Sequence, residues 1–288
     1  MTVTTRPTLV IAEIGSCHDR SLTAALNAVD VAKGAGADVI KYQFWSSVDR
    51  MVQRRNAEAY RGVYERYKMP SDWLPSLAEC ARDRGLIFAC SSYLPEDVWR
   101  VAEHATILKV SSFESQDREL LVAHIGPVAA GRRLLISLGM DGRQTIANEW
   151  LMRGLDESAR SRVDFLACTS AYPAPTSGLM LHRIRDMSCW GRGEKPLAGY
   201  SDHSWPEQTW TGALAVACGA RIIERHLRLD DTDRHNPDYN HSSSPAQFGE
   251  YVQHIRYAEY AIGEPQVGPH RCEEPMLAYR AGVEKVQS

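Results

Sequence analysis

Two histidines in the last third of the chain, His203 and His226, each follow a short apolar run and have an acidic residue close by. Imidazole nitrogens bind divalent metal ions, and carboxylates and water complete an open coordination sphere. A single histidine at a strand end is more often a hydrogen-bonded structural residue, but two in matching polar contexts are typical of a metal site on an α/β scaffold. The pair therefore predicts a catalytic metal centre, with a structural role as the alternative interpretation.

Apolar runs of strand length alternate with helical stretches along almost the whole sequence. Near-continuous apolar strands separated by helices indicate a parallel sheet that is covered on both faces. Eight such units over about 255 residues are typical of a (β/α)8 barrel. The strands are expected at residues 8–14, 39–44, 86–90, 107–110, 134–137, 163–168, 197–200 and 221–224.

The predicted fold is therefore a single-domain α/β protein, a (β/α)8 TIM barrel. A doubly wound open sheet is the competing architecture, but no strand is followed by the glycine-rich phosphate turn of that fold. We expect the barrel over residues 1–263 and a C-terminal tail over 264–288, with helices that begin near Asp117 and Thr145. The longest connection, residues 49–70, is expected to form a loop or a small extra helix over the site.

Polar side chains follow all eight predicted strands, at the face of the barrel where active sites of this fold lie. Two of the six lysines, Lys41 and Lys109, lie within strands, where lysine is depleted. Two cations among several hydroxyl groups suit a small, highly charged anion such as a phosphate ester. Each of these residues could instead be a polar residue of the barrel interior that pairs with a neighbour.

A phosphorylated substrate and a metal that polarises a carbonyl suggest carbon–carbon bond formation between a phospho-enol and an aldehyde. The same residue types also allow metal-dependent hydrolysis and class II aldol cleavage. The residues by themselves leave these three reactions open.

Composition and charge exclude several classes of protein. A formal net charge of -3 gives no electrostatic footprint for nucleic acid or an anionic membrane. No run approaches the roughly 18 apolar residues of a membrane span, and the first residues lack the apolar core of a signal peptide. The seven cysteines show no CxxC spacing, which favours reduced thiols. We therefore expect a cytoplasmic protein without a nucleic-acid or membrane partner.

Several segments resemble, in order and spacing, the N-acetylneuraminate (sialic acid) synthase family, which includes the synthases of legionaminic and pseudaminic acids. The resemblance extends to about Gly263, and its most specific motifs are Cys-Thr-Ser-Ala-Tyr-Pro and Ser-Asp-His. It implies a TIM barrel that condenses phosphoenolpyruvate with an N-acetylated aminosugar and releases phosphate. The matching segments are residues 11–18, 41–43, 108–114, 136–140, 168–175, 199–203, 223–226 and 237–238.

The resemblance also implies roles for individual residues. His203 and His226 correspond to the metal ligands. Glu13 corresponds to a carboxylate near the metal-bound water and the enol carbon, and Glu114 to a supporting or general acid–base group. The positions that correspond to the phosphoenolpyruvate-binding set are Lys41, Ser91 (or Ser92), Lys109, Ser112, Ser137, Ser170, Tyr172 and Ser201. Those that correspond to contacts with the acceptor sugar are Gln43 and Asp238.

We therefore expect a metal-dependent transferase that joins phosphoenolpyruvate to an aldehyde and makes a 3-deoxy-2-ulosonic acid. The expected ion is Mn²⁺, with Mg²⁺ or Co²⁺ as alternatives. A metal-dependent pyruvate aldolase and a ligand-binding barrel without turnover are the competing functions.

The C-terminal end of the sequence departs from the family pattern. Family members typically continue into an antifreeze-protein-like domain, which supplies an arginine to the partner subunit's sugar site, whereas this sequence is predicted to form the catalytic barrel alone. The expected partners are phosphoenolpyruvate and an aldehyde acceptor that need not be an N-acetylhexosamine. The resemblance leaves a homodimer open.

Overall fold

The computed structural model describes residues 7–140, 151–188, 198–263 and 268–286. Eight parallel strands within these residues close into a barrel in sequence order, which confirms the predicted (β/α)8 fold. The strands are β1 (Leu9–Glu13), β2 (Val39–Phe44), β3 (Ile87–Ser92), β4 (Ile107–Val110), β5 (Arg133–Leu138), β6 (Val163–Cys168), β7 (Ala198–Asp202) and β8 (Ile222–His226).

Helices connect the strands and cover the outside of the barrel. They are α1 (Leu22–Gly34), α2 (Val48–Arg55), α3 (Arg61–Tyr67), α4 (Trp73–Asp83), α5 (Val98–Ala102), α6 (Arg118–Ala123), α7 (Ile125–Ala129), α8 (Met152–Gly154), α9 (Glu157–Arg160), α10 (His182–Ser188), α11 (Thr211–Ala217), α12 (Pro245–Ile262) and α13 (Glu274–Val286). Local sequence fixes where some of them begin. Ser244 forms a capping box with Gln247 in front of Pro245, which is the first residue of α12.

An apolar layer fills the interior of the barrel. Strand β7 contributes Gly199 to this region, where a Cβ would lie 2.8 Å from the backbone oxygen of Ile222 and 2.9 Å from Leu166 Cγ, so a side chain would not fit. Because successive side chains of a strand point to opposite faces, the residue two positions further along each strand also points inward. The layer consists of Ile11, Val39, Ala89, Ile107, Leu135, Leu166 and Ile222.

A buried ion pair joins β7 and β8 to the helices outside the barrel. Asp202 and Arg225 point outward because their neighbours Ser201 and Glu224 point inward. Arg225 Nη1 donates to Asp202 Oδ2 at 3.1 Å, and the hydroxyl of Tyr251 in α12 donates to the same oxygen at 2.8 Å. Burial raises the pKa of Asp202, but Arg225 and these hydrogen bonds outweigh it and lower the pKa below its usual range. The pair is therefore a structural clamp behind the site.

The connection over residues 49–70 contains α2, a 3-10 turn at Glu58–Tyr60, and α3, in line with the extra helix expected there. The helix expected to begin near Thr145 lies outside the described residues. Beyond Ile262, the described residues contain a 3-10 turn at Arg271–Glu273 and then α13. No described helix combines the length and apolar character needed to cross a bilayer.

Candidate active site

A ring of polar side chains lies next to the apolar layer, towards the carboxyl ends of the strands. Each side chain of this ring lies two positions after a residue of the apolar layer, or after Gly199, in the same strand. It therefore also points into the barrel. Of the two serines considered from the sequence, Ser91 belongs to the ring, whereas Ser92 follows it in the strand and points to the opposite face. The ring consists of Glu13, Lys41, Ser91, Lys109, Ser137, Ser201 and Glu224, all of them buried.

Two lysines and two carboxylates balance their charges inside the ring. Lys41 Nζ lies 2.6 Å from Glu13 Oε2 and 3.6 Å from Glu224 Oε2. Lys109 Nζ lies 3.5 Å from Glu224 Oε1 and donates to Ser137 Oγ at 2.8 Å. Glu224 therefore bridges the two ammonium groups, which stabilises both of them away from water.

Burial changes the pKa values of Glu224, Glu13 and Lys109 to different net effect. Burial raises the pKa of Glu224, but Lys109 and Lys41 outweigh it, and the pKa falls to about 2. For Glu13 the effect of burial prevails over that of Lys41, so its pKa is raised. Burial also lowers the pKa of Lys109, and Glu224 offsets only part of this effect. Glu224 is therefore a permanent anion, while Glu13 and Lys109 are the groups that the environment makes easiest to neutralise.

Three histidines and a tyrosine gather beside the ring. The ring centroids of His203 and His226 are 5.8 Å apart, those of His226 and His241 are 4.7 Å apart, and Tyr172 lies 4.2 Å from His203. His203 Nδ1 donates to the carbonyl oxygen of Thr169 at 2.8 Å. This bond orients the imidazole and leaves the lone pair on Nε2, as is usual for a histidine that binds a metal.

The donor atoms here fit a divalent metal ion. His226 Nδ1 and His241 Nε2 are buried and have no hydrogen-bond partner in the described part of the chain. Together with a carboxylate oxygen of Asp238, ligand atoms of these two histidines lie within 4.8 Å of one another. Burial lowers the pKa of His203 to about 4 and also lowers the pKa values of His226 and His241, so the imidazoles are neutral at pH 7. Neutral imidazole and carboxylate form a suitable ligand set for Mn²⁺ and similar ions.

Asp238 is held in place by the loop that follows β1. The backbone N–H and the hydroxyl of Ser16 donate to Asp238 Oδ2 at 2.7 and 2.8 Å. The preceding residue, Gly15, has a positive φ of 53°, and a Cβ there would lie 2.2 Å from the same oxygen. Glycine therefore allows the loop to approach the carboxylate and to fix it beside His226.

A cavity of about 450 Å³, here called the catalytic cavity, opens onto the ring and the histidines. All the site residues predicted from the sequence line it except two. Ser170 does not line it but hydrogen-bonds to Ser112, which does, at 2.8 Å. Glu114 instead pairs with Arg55 and lines a neighbouring cavity. The predicted residues in the lining are Glu13, Lys41, Gln43, Ser91, Lys109, Ser112, Ser137, Tyr172, Ser201, His203, His226 and Asp238.

Eight further residues of the cavity lining were not assigned as site residues from the sequence, among them Glu224, His241 and Arg55. A signal existed for Glu224, because it precedes His226 by two residues in the same strand and must share its direction. Arg55 belongs to the segment 49–70 that the sequence predicted to lie over the site, although nothing marked this residue individually, and no signal marked His241 in the loop after β8. Their positions depend on how these segments fold over the barrel.

Comparisons with known proteins give a family and several relatives. The NeuB family model matches residues 28–267. The pseudaminic acid synthase of Campylobacter jejuni subsp. jejuni is 29% identical over 275 residues, which cover 91% of this chain and 76% of that protein. The N-acetylneuraminate-9-phosphate synthase of Homo sapiens is 28% identical over 284 residues, which cover 93% and 74%.

A solved structure has a similar fold. It is the crystal structure of the N-acetylneuraminic acid (sialic acid) synthetase from Leptospira borgpetersenii serovar Hardjo-bovis in complex with citrate. The TM-score is 0.82 at 24% sequence identity, over 97% of this chain and 93% of that one.

Proposed function

Because the chain belongs to the NeuB family, we propose that it condenses phosphoenolpyruvate with an aldehyde acceptor to give a 3-deoxy-2-ulosonic acid and phosphate. The observation that carries this proposal is the buried ring of two lysines, two carboxylates and several hydroxyls beside a cluster of neutral histidines. A ring of this kind suits a small substrate with two anionic ends, and the histidines suit the ion that activates its partner.

Phosphoenolpyruvate is bound by the lysine side of the ring in this proposal. The ammonium groups of Lys41 and Lys109 lie on either side of Glu224 and offer one cation to each anionic end of the substrate. The hydroxyls of Ser91 and Ser137, which now accept hydrogen bonds from these ammonium groups, add further donors. Ser112, Ser170, Tyr172 and Ser201 complete the set that the family resemblance implies.

The metal ion is held by His203 and His226, and we include Asp238 and His241 as further ligands. The unpartnered nitrogens of His226 and His241 support this assignment, because a buried polar atom without a partner costs about 1–3 kcal/mol unless something binds it. When bound, a divalent ion such as Mn²⁺ polarises the carbonyl oxygen of the acceptor and makes its carbon electrophilic. Gln43 lies next to Glu13 in the same cavity, where it can contact the acceptor.

With both substrates in place, the residues of the chain need only move protons and hold the departing phosphate. C3 of phosphoenolpyruvate attacks the aldehyde carbon, whose oxygen takes up a proton and becomes a hydroxyl group, and the cationic C2 takes up a water molecule. The two protons of that water balance the proton gained by the aldehyde oxygen and the one gained by phosphate. Glu13 accepts a proton from that water, a role for which its raised pKa suits it. The tetrahedral C2 centre collapses with cleavage of its C–O bond to phosphate, while Lys41 and Lys109 hold the departing group. Phosphoenolpyruvate, aldehyde and water thus give the ulosonic acid and phosphate.

The test is phosphate release from phosphoenolpyruvate with a panel of aldehydes, including N-acetylmannosamine, in the presence and absence of Mn²⁺. We expect release that requires both aldehyde and ion, stops with a chelator and returns when Mn²⁺ is added. Phosphoenolpyruvate labelled with ¹⁸O in its bridging oxygen should pass the label to phosphate. Full activity in exhaustively chelated protein, or turnover of pyruvate in place of phosphoenolpyruvate, would contradict the proposal.

Two lysine variants test the binding half of the site separately. Lys41→Met or Lys109→Met removes a charge-assisted contact worth roughly 1.5–3 kcal/mol, so the Kd for phosphoenolpyruvate should rise about tenfold or more. The matched control is Lys33→Met at the end of α1, outside the site. Calorimetry with phosphoenolpyruvate alone measures the effect, and an unchanged Kd in both site variants would refute the pocket.

A further inference from the structure

A second cavity lies beside the catalytic cavity and shares part of its lining. It has a volume of about 760 Å³, against about 450 Å³ for the catalytic cavity. Arg55, Tyr60, Tyr93 and Phe113 line both, so the two spaces share a wall. We call it the aromatic cavity, and its other walls include Met51, Ala57 and Tyr64. The catalytic cavity alone is within the usual size range of a small-molecule site, so this volume is additional room.

The charged groups of the aromatic cavity are already paired. Arg55 Nε donates to Glu114 Oε1 at 2.8 Å. Arg54 forms ion pairs with Asp117 and Glu119. Three carboxylates, those of Glu114, Asp117 and Glu119, thus pair with two guanidinium groups, and this excess of negative charge disfavours a phosphate or carboxylate here.

Flat, apolar surfaces form the remaining wall. The Arg55 guanidinium lies over the rings of Tyr93 and Phe113, 5.0 and 5.5 Å from their centroids. Tyr93 is buried, but Phe113 is 57% exposed and Tyr60 is 60% exposed, so both keep aromatic surface open. Aromatic rings stack preferentially on other planar groups, and covering this exposed surface is favourable.

We propose that the aromatic cavity is the subsite for the far end of the acceptor, and that this end carries an uncharged planar ring. The aldehyde end then lies in the catalytic cavity beside the histidines, and the shared wall formed by Arg55 and Phe113 lies along the acceptor between its two ends. This inference rests on the proposed condensation and specifies the class of acceptor.

The experiment compares N-acetylmannosamine with analogues that bear a phenyl ring, one N-benzoyl and one 6-O-benzoyl. The readouts are kcat/KM for phosphate release and, without turnover, the Kd of the corresponding sugar alcohols by calorimetry. For at least one benzoyl compound we expect kcat/KM to be about tenfold or more higher than for N-acetylmannosamine, and the Kd of its sugar alcohol to be about tenfold or more lower, because the phenyl ring becomes buried.

Ala57→Trp tests the location, because Ala57 lines the aromatic cavity but not the catalytic cavity. A tryptophan there should fill the space and bring the ratio between the benzoyl and acetyl compounds close to one. The matched control is Ala59→Trp, at an exposed residue two positions away that does not line the cavity, and it should keep the ratio.

The outcomes separate this inference from the proposed function. Equal values for the acetyl and both benzoyl compounds, with normal phosphate release, would overturn the subsite and leave the condensation intact. Tight binding of a benzoyl alcohol without phosphate release from any aldehyde would support the subsite and contradict the condensation. A ratio unchanged by Ala57→Trp would show that the phenyl ring does not bind in the aromatic cavity and would overturn the subsite. An Ala57→Trp protein that loses a dimer present in the wild type would show that a second copy of this chain covers the aromatic surface, and would also overturn the subsite.

Discussion

Glu224 supports the charge of Lys109, the lysine of the ring whose pKa is lowered by burial. Its carboxylate lies 3.5 Å from Lys109 Nζ and raises a lysine pKa that burial lowers. In Glu224→Gln this support is lost, so the pKa of Lys109 should fall further. Since phosphoenolpyruvate binding needs the protonated ammonium, the alkaline loss of affinity should then begin at a lower pH than in the wild type.

Calorimetric titrations with phosphoenolpyruvate from pH 6 to 10 follow that loss directly. The control is Glu79→Gln, an exposed glutamate on α4 outside the cavity lining. The same pH dependence in wild type and Glu224→Gln would mean that Glu224 does not set the charge of Lys109.

The clamp between Asp202 and Arg225 makes β7 and β8 one unit with α12. Removing one partner of a buried pair leaves the other charge uncompensated, which costs about 3–5 kcal/mol. Arg225→Met should therefore lower the free energy of unfolding by this amount, because Asp202 is fully enclosed and loses its cation. Arg84→Met breaks a more exposed pair with Asp30 and should cost less than about 1 kcal/mol.

Urea unfolding of the two variants and the wild type compares these costs. Ser201 and Glu224 adjoin the clamp in sequence, so Arg225→Met should also weaken phosphoenolpyruvate binding if the protein still folds. Equal unfolding free energies for both arginine variants would show that the ion pair between Asp202 and Arg225 stabilises the protein no more than an exposed pair does.

The stability of the whole barrel should depend on pH through two buried histidines that do not line the catalytic cavity, His18 and His124. Burial lowers the pKa values of His18 and His124 to about 4, below the unfolded value of 6.5. The unfolded chain therefore binds more protons between pH 6.5 and 4, and this contribution to stability, complete above pH 6.5, is lost as the pH falls. At pH 5 the loss should reach roughly 2 kcal/mol for each histidine.

Urea unfolding at pH 7 and pH 5 measures this loss. His124→Gln keeps a donor for the carbonyl oxygen of Leu120 but cannot be protonated, so its loss between the two pH values should be smaller by about one histidine's share. His235→Gln, at an exposed histidine, is the control and should behave as the wild type. A His124→Gln protein with the wild-type pH dependence would exclude this histidine as a source.

The sequence by itself determined the barrel and the polar contents of its interior. Apolar strands alternating with helices allow few architectures, and a period of two along each strand fixes which side chains point inward. The inward direction of Lys41 and Lys109 follows from this rule, and so does that of Glu224, which lies two positions before His226 in β8. The direction of a side chain along one strand depends only on its position in that strand, so the sequence is enough to predict it.

Only the tertiary structure decided which residues from separate segments meet. Closure of the barrel places Glu224 between two lysines that are 68 positions apart in the chain. Loop folding brings His241 to His226 and turns Glu114 towards Arg55, away from the catalytic cavity to which its motif had assigned it. These contacts depend on how helices and loops pack over the strand ends. In those segments no periodic rule links the position of a residue in the sequence to the direction of its side chain.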